Sequence, residues 1–322
     1  MKKILIISPY DIFPPKNGGE RRIYLITKEL SKNNNVTMIG PKSKSKNDLN
    51  INYIELFEDN PKEKILNLNV IKYLINKEKE SKVRLEYIWQ GINIVLAGRS
   101  YVLDEFDIVF LRFKRTGNWL WPLIYLYELL ICSFADKVIC VSEVDKSYLV
   151  KYFKLNPNRI EIIENPVDKT IFYPSNRNNK RIRRELEIKN NEKMILFFGQ
   201  LNYKPNIQAL EIIKKEIIPG LNKRKLNYKL VICGKGDGKG MLKNYRDKNL
   251  IFKGFVDKIQ DYINASDVII APLKSGSGTR IKILEALACK KRVVSTSIGA
   301  EGIKQNKLLE IEDDWERFAE KI

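Results

Sequence analysis

The 322-residue sequence contains no histidine. That removes histidine-bearing metal sites, Ser-His triads and histidine acid–base catalysis from the chemistry open to it. Cysteine is scarce: Cys132, Cys140, Cys233 and Cys289 are the only four, and none forms a C-x-x-C pair. Cys140 and Cys233 sit in apolar, strand-like runs, where the residue behaves as a small hydrophobe. The pattern predicts no disulfide framework and a reducing, cytoplasmic compartment. Long apolar runs are missing as well. Met1-Lys2-Lys3 is followed by only four apolar residues before Ser8-Pro9, too few for a secretory leader. The most apolar stretch, residues 119–135, is broken by Pro122 and Glu128 and falls short of the ~20 residues a membrane span needs. It reads as a buried helix, with an interfacial membrane helix as the alternative.

What the sequence has in excess is positive charge. Lys and Arg number 58 against 39 Asp and Glu, a net charge of +19. Such a field attracts anions: nucleic acid, an acidic membrane surface or phosphorylated small molecules. A compositional bias toward Lys and Asn, as in Ser43-Lys44-Ser45-Lys46-Asn47, accounts for it equally well. The aromatic–basic motifs of nucleic-acid recognition are not there, so no nucleic-acid partner is expected. With 44% hydrophobic and 30% charged residues, the chain has the composition of a globular protein, long enough for two domains.

Short apolar runs alternate with helical patterns along both halves. Residues 3–8, 36–40, 52–55, 108–111, 137–141 and 160–163 read as strands, with helices over 19–33 and most of 65–98. The pattern breaks at Asn165-Pro166-Val167-Asp168 and resumes after Pro174 and a polar run. Residues 194–199, 229–233, 250–252, 268–271, 292–296 and 308–311 are the later strands, and Asn206 is the expected cap of the helix after Pro205. Strand–helix alternation predicts an α/β protein of two doubly wound, Rossmann-like parallel-sheet domains facing a cleft, spanning 1–171 and 172–322. In such sheets ligands bind beyond the carboxyl ends of the strands.

Three loops after strands can carry chemistry. In Pro14-Pro15-Lys16-Asn17-Gly18-Gly19-Glu20, Gly18 and Gly19 permit close backbone approach and a helix N-terminus lies behind them, although Asn-Gly is also an ordinary turn signal. Gly234-Lys235-Gly236-Asp237-Gly238 has the same character. The third, Ser275-Gly276-Ser277-Gly278-Thr279-Arg280, opens a helix through Lys282 and Glu285 whose Ile281, Leu284 and Ala288 keep helical spacing. Small hydroxyls, backbone N–H groups and two cations suit a diphosphate. A carboxylate at 285 suits a pair of sugar hydroxyls, or else an ion pair with Lys282.

At this third segment the sequence resembles the family 4 glycosyltransferases of GT-B fold, and the resemblance runs through nearly the whole chain. Asn17-Gly18-Gly19-Glu20-Arg21 matches the family's first glycine loop, Asn165-Pro166-Val167-Asp168 with Phe172 and Pro174 its hinge, and Phe198-Gly199 with Pro205-Asn206 the opening of its donor domain. Residues 276–288 match its G-S-G-T-R-x-K-x-x-E signature. The resemblance implies retaining transfer of a sugar from a nucleotide-sugar to a glycan, lipid-linked or other acceptor, with no metal or other cofactor. It implies that Glu285 holds the ribose hydroxyls and that Ser277, Gly278 and Thr279 lie by the diphosphate or sugar. Gly18 and Gly19 would face the diphosphate, Gly199 and Gly234 would line the donor loops, and Phe255 and Val256 would meet the base. Arg280, Lys282 and Lys204 are the candidates for the catalytic cations that would stabilise the leaving diphosphate.

The sequence departs from the family at four places. Ser277 stands where the first of two paired glutamates is common, and Gln200 and Pro205 stand where cations are common. No histidine can reach the donor sugar from the first domain, which leaves Arg112 or Lys114 as substitutes. The sequence ends at residues 315–322, where family members continue into helices that cross back to the first domain; these are expected to be absent or truncated. These departures sustain an alternative, a non-catalytic sugar-nucleotide-binding subunit of a transferase complex. Lys16, Arg21, Arg22, Lys114 and Arg115 are expected to form a positive surface for peripheral association with an anionic membrane.

Overall fold

The computed structural model describes residues 1–43, 45–77, 80–236 and 247–322. Lys44 and the Asp237 and Gly238 of the second glycine loop lie outside the described residues. The chain forms two compact units, Met1–Pro166 with Ser277–Thr279, and Val167–Gly276 with Arg280–Ile322.

In the first unit seven strands run parallel: β1 (Lys2–Ile7), β2 (Asn34–Pro41), β3 (Asn52–Phe57), β4 (Lys82–Glu86), β5 (Tyr101–Asp104), β6 (Lys137–Cys140) and β7 (Ile160–Ile162). Their order is β3-β2-β1-β4-β5-β6-β7, so the direction of winding reverses between β1 and β4. Strands covered on both faces read as continuous apolar runs, and Leu5, Ile6 and Ile7 are fully buried.

Two expectations for this unit need correction. The stretch 65–98 is not mostly helical: β4 lies between helices Leu68–Asn76 and Gly91–Leu96. In β4 Val83 and Leu85 alternate with Arg84 and Glu86, but Glu86 is fully buried and Arg84 largely covered, Arg84 bridging Glu86 and Asp104. Burying charge in an interior strand removes the polar–apolar contrast by which a strand is recognised. Residues 108–111 are not a strand; Val109–Arg115 is a helix. A four-residue apolar run fits either element by periodicity. Here Glu128 decides it, its carboxylate accepting the N–H groups of Val109 at 2.8 Å and Phe110 at 2.7 Å. These are donors that a helix start leaves unsatisfied.

The stretch 119–135 forms the helix Trp121–Phe134, but only one face is covered, by way of Glu128, Ile131 and Cys132. Its other face is exposed, so the expectation of a buried helix holds for one side alone. No helix among the described residues is long and apolar enough to cross a membrane. All four cysteines are buried and free.

The second unit repeats the plan with six parallel strands: β8 (Lys193–Phe198), β9 (Tyr228–Cys233), β10 (Leu250–Gly254), β11 (Val268–Ala271), β12 (Arg292–Ser295) and β13 (Leu309–Ile311). Their order is β10-β9-β8-β11-β12-β13, with the reversal between β8 and β11. Alternate residues of β8 supply two cores. Ile195 and Phe197 join one face; Met194, Leu196 and Phe198 join the other. The helix Lys204–Ile212 runs through a wide turn, Ile213–Ile217, into Ile218–Lys223. Pro219 lacks the N–H that regular helix would require there.

Candidate functional site

The second unit places its glycine-bearing loops at and beside the reversal of its sheet. Gly199 follows β8, Gly234 follows β9, and the loop 272–280 follows β11, all at the carboxyl ends of the strands. The two glycines are packed against each other. A Cβ on Gly234, at φ +156°, would stand 1.8 Å from the carbonyl oxygen of Gly199. A Cβ on Gly199, at φ +150°, would stand 2.8 Å from Asn206 Nδ2 and 3.2 Å from Lys282 Nζ. Only hydrogen on each Cα lets these loops and side chains approach.

Asn206 is not the helix cap. The helix starts after Tyr203, and Asn206 is its third residue. Its amide instead joins the loop after β8 to the helix Ile281–Ala288: Nδ2 donates to the Gln200 carbonyl at 2.8 Å, and Oδ1 accepts from Lys282 Nζ at 2.8 Å. Lys282 comes from the second residue of the helix Ile281–Ala288 and lies 4.7 Å from the centre of the Phe197 ring. Burial, and then the positive charge of Arg280, push its ammonium down to about 7. Arg280 is the N-cap of the same helix, and Gly276, at φ +110°, leaves room for its guanidinium. Glu285 is three residues beyond Lys282, buried at 2% exposure, and so is not the exposed ion-pair partner that spacing also allowed.

Gly199, Gly234, Arg280, Lys282 and Glu285 therefore belong to one end of the second unit. Lys204 is exposed at the first position of the helix carrying Asn206. Phe255 is 66% exposed beyond β10, and Val256 packs against the core. Ser277, Gly278 and Thr279 group with the first unit rather than with the helix they precede.

In the first unit Gly18 and Gly19 open the helix Gly18–Ser31. Asn17 caps it, its Oδ1 accepting the Glu20 N–H at 3.0 Å, while Glu20 Oε1 accepts from Asn17 Nδ2 at 2.6 Å. This reciprocal arrangement fixes the glycine loop. Arg22 departs from expectation. It is fully buried, pairing with Asp104 at 2.8 Å and donating to the Glu164 carbonyl at 3.1 Å, so it adds nothing to a positive surface. Tyr87, the residue after β4, holds φ +70°. Its hydroxyl donates to Asp107 Oδ2 at 3.1 Å and accepts from Arg112 Nη2 at 3.0 Å. Phe106 stacks on Tyr87 with centroids 4.8 Å apart.

Sequence reasoning missed the part played by Asn206 and the seating of Lys282 against Gly199. The available signal was the pair of missing cations at Gln200 and Pro205, since an anion site in that place needs its charge from another element. Among the described residues no group of carboxylates and thiols has the arrangement of a metal site.

The chain is similar to known proteins in sequence and in fold. A family model described as Glycosyltransferase Family 4 matches residues 16–170, and one described as Glycosyl transferases group 1 matches residues 192–322. An uncharacterised glycosyltransferase of Methanocaldococcus jannaschii is 30% identical over 186 residues, 55% of this chain and 46% of that protein. The UDP-Gal:alpha-D-GlcNAc-diphosphoundecaprenol alpha-1,3-galactosyltransferase of Escherichia coli is 28% identical, over 54% of this chain and 46% of its own. The chain thus matches these curated relatives over about half of their length. The crystal structure of the Anabaena protein HepE in complex with UDP-glucose superposes with a TM-score of 0.75 at 16% identity, covering 99% of this chain and 88% of that one.

Proposed function

Because this chain is a family 4 glycosyltransferase of the GT-B fold, we propose that it moves a sugar from a nucleotide-sugar to a glycan or lipid-linked acceptor, with retention and without a metal. The second unit holds the donor. The observation that carries this reading is the Lys282 ammonium, seated between Gly199 and Asn206 where the sheet reverses. A diphosphate there meets a cation that is already desolvated and positioned.

The chemistry asks little covalent help of the protein. As the bond to the sugar breaks, negative charge builds on the nucleoside diphosphate. Lys282 and Arg280 meet that charge, with backbone N–H groups beyond β8, and need no rearrangement to do so. Lys204 supplies a further cation from the exposed start of its helix. Glu285 accepts the ribose hydroxyls, the loop Ser277-Gly278-Thr279 serves the diphosphate or sugar, and Phe255 and Val256 flank the base. The first unit takes the acceptor. UDP is the favoured nucleotide, since the E. coli relative is named for UDP-Gal and the Anabaena structure holds UDP-glucose. A lipid-linked acceptor, as in the name of the E. coli relative, would bring the chain to the cytoplasmic face of a membrane.

The test is a thermal-shift panel with UDP, GDP, ADP and their sugar conjugates. A ligand at about 100 times its dissociation constant adds about 2.7 kcal/mol to the native state. A shift with one nucleotide, followed by release of that nucleoside diphosphate on adding acceptor, is the expected result. Binding without release under any acceptor would sink the transferase reading.

A further inference from the structure

The helix Trp121–Phe134 shows six residues to solvent, Pro122, Leu123, Leu126, Leu130, Ser133 and Phe134, and none is charged. In a chain with 30% charged residues this is a departure from the usual polar outer face of a surface helix. The helix Gly18–Ser31 of the same unit has the usual kind, exposing Lys28 and Glu29. The one acid of Trp121–Phe134, Glu128, is turned inward and fully buried. Leu123, Leu126, Leu130 and Phe134 fall at spacings of three and four, hence on one stripe. They are 61%, 59%, 39% and 58% exposed, and Trp119, just ahead of the helix, is 80% exposed.

Cations stand at both ends of the stripe. Lys114 Nζ lies 4.9 Å from the Trp121 ring centre, and Arg159 Nη2 donates to the Ser133 carbonyl at 2.9 Å. Arg115 is held beside Lys114, its Nη2 donating to the Tyr148 hydroxyl at 3.1 Å. Asp136 is exposed at the far end, next to the exposed Lys137. An uncharged apolar stripe with Trp at its head and cations at its ends complements a surface that is apolar below and anionic above. That is the boundary layer of an acidic bilayer.

From this we infer that the stripe Trp119–Leu123–Leu126–Leu130–Phe134 seats the first unit on an acidic lipid surface, with Lys114, Arg115 and Arg159 at the headgroups. The helix lies in the plane of the membrane rather than across it. This deepens the lipid-linked reading of the acceptor, but vesicle binding measured without donor or acceptor separates the two.

The purified chain is floated with vesicles of phosphatidylcholine alone and of phosphatidylcholine with phosphatidylglycerol. The expected result is flotation with the acidic vesicles, weakened by added salt. The double variant Leu123→Asp, Leu126→Asp is expected to bind at least about tenfold more weakly, because two apolar contacts are replaced by charges of the repelled sign. Circular dichroism and the nucleotide thermal shift of the variant verify that it folds. Lys114→Glu, which leaves the stripe intact, is expected to weaken binding to acidic vesicles only. Failure of the wild type to float, or equal flotation by the folded double variant, overturns the inference. So does a wild-type dimer in sedimentation that the double variant dissolves, since a second copy would then be what covers the stripe.

Discussion

The ammonium of Lys282 lies 2.8 Å from the amide oxygen of Asn206, a residue 76 positions away in the chain. The contact ties the helix after β11 to the helix after β8, across the reversal of the second sheet. It puts a cation where the segment after β8, with Gln200 and Pro205, has none of its own at those positions.

Lys282 gives the first prediction. A diphosphate prefers the protonated lysine, which the empty protein holds only up to about pH 7. Above that pH, binding must take up a proton, so nucleoside diphosphate affinity should fall by up to about tenfold per pH unit. Lys282→Gln should bind more weakly at pH 6.5 and lose this dependence; isothermal titration across the range reads both. Stability moves the other way. The unfolded lysine keeps its proton up to the ordinary lysine range, so wild-type stability should rise relative to the variant as pH increases above about 7.

Glu285 gives the second. If its carboxylate holds the ribose hydroxyls, Glu285→Ala should weaken nucleotide binding by about 1 kcal/mol or more, one charged hydrogen bond lost. The comparison with the deoxynucleotide is the sharper measurement, because the variant should lose its preference for the ribose form. An unchanged preference in a folded variant removes Glu285 from that role.

The buried pair of Arg22 and Asp104 gives the third. Arg22→Leu leaves Asp104 buried beside Arg84 alone, and removing one partner of such a pair costs about 3 kcal/mol or more. Urea unfolding should show the loss, and Arg22→Leu with Asp104→Leu should recover part of it. Full stability in the single variant would contradict the arrangement.

A pH effect of opposite kind is expected from Glu105. Burial, then the neighbouring charges of Glu128 and Asp107, hold its carboxyl well above the ordinary range. The folded chain keeps a proton that the unfolded chain gives up above about pH 4.3. The stability this confers is complete below that pH and is lost as pH rises toward the folded value. Glu105→Gln should flatten the profile between pH 5 and 7, where the wild type loses up to about 1.4 kcal/mol per unit. Parallel profiles for the two proteins would show that Glu105 is ionised in the fold.

Strands built on uninterrupted apolar runs, such as Val268–Ala271 and, after its opening lysine, Lys193–Phe198, are legible in the sequence because both faces are buried. β4 is not, because the charged Glu86 is buried and the charged Arg84 largely covered, and Arg84's second partner, Asp104, comes from the end of another strand. The helix Val109–Arg115 is hidden for a related reason: Glu128, which satisfies its first N–H groups, lies 18 and 19 positions away. The candidate site divides the same way. Gly199, Arg280, Lys282 and Glu285 stand in short local patterns. Asn206 does not, because its role is set by contacts that no local pattern records.

Glu128 has one more consequence. A single carboxylate anchors the inner side of the apolar helix and starts the helix Val109–Arg115, so the position answers to two elements at once. The outer positions answer to neither. If the stripe grips lipid as inferred, mutation can strengthen or erase that grip without disturbing the unit beneath. The inner anchor has no such freedom, and substitutions there would be removed by selection for folding before selection for membrane affinity could act on them.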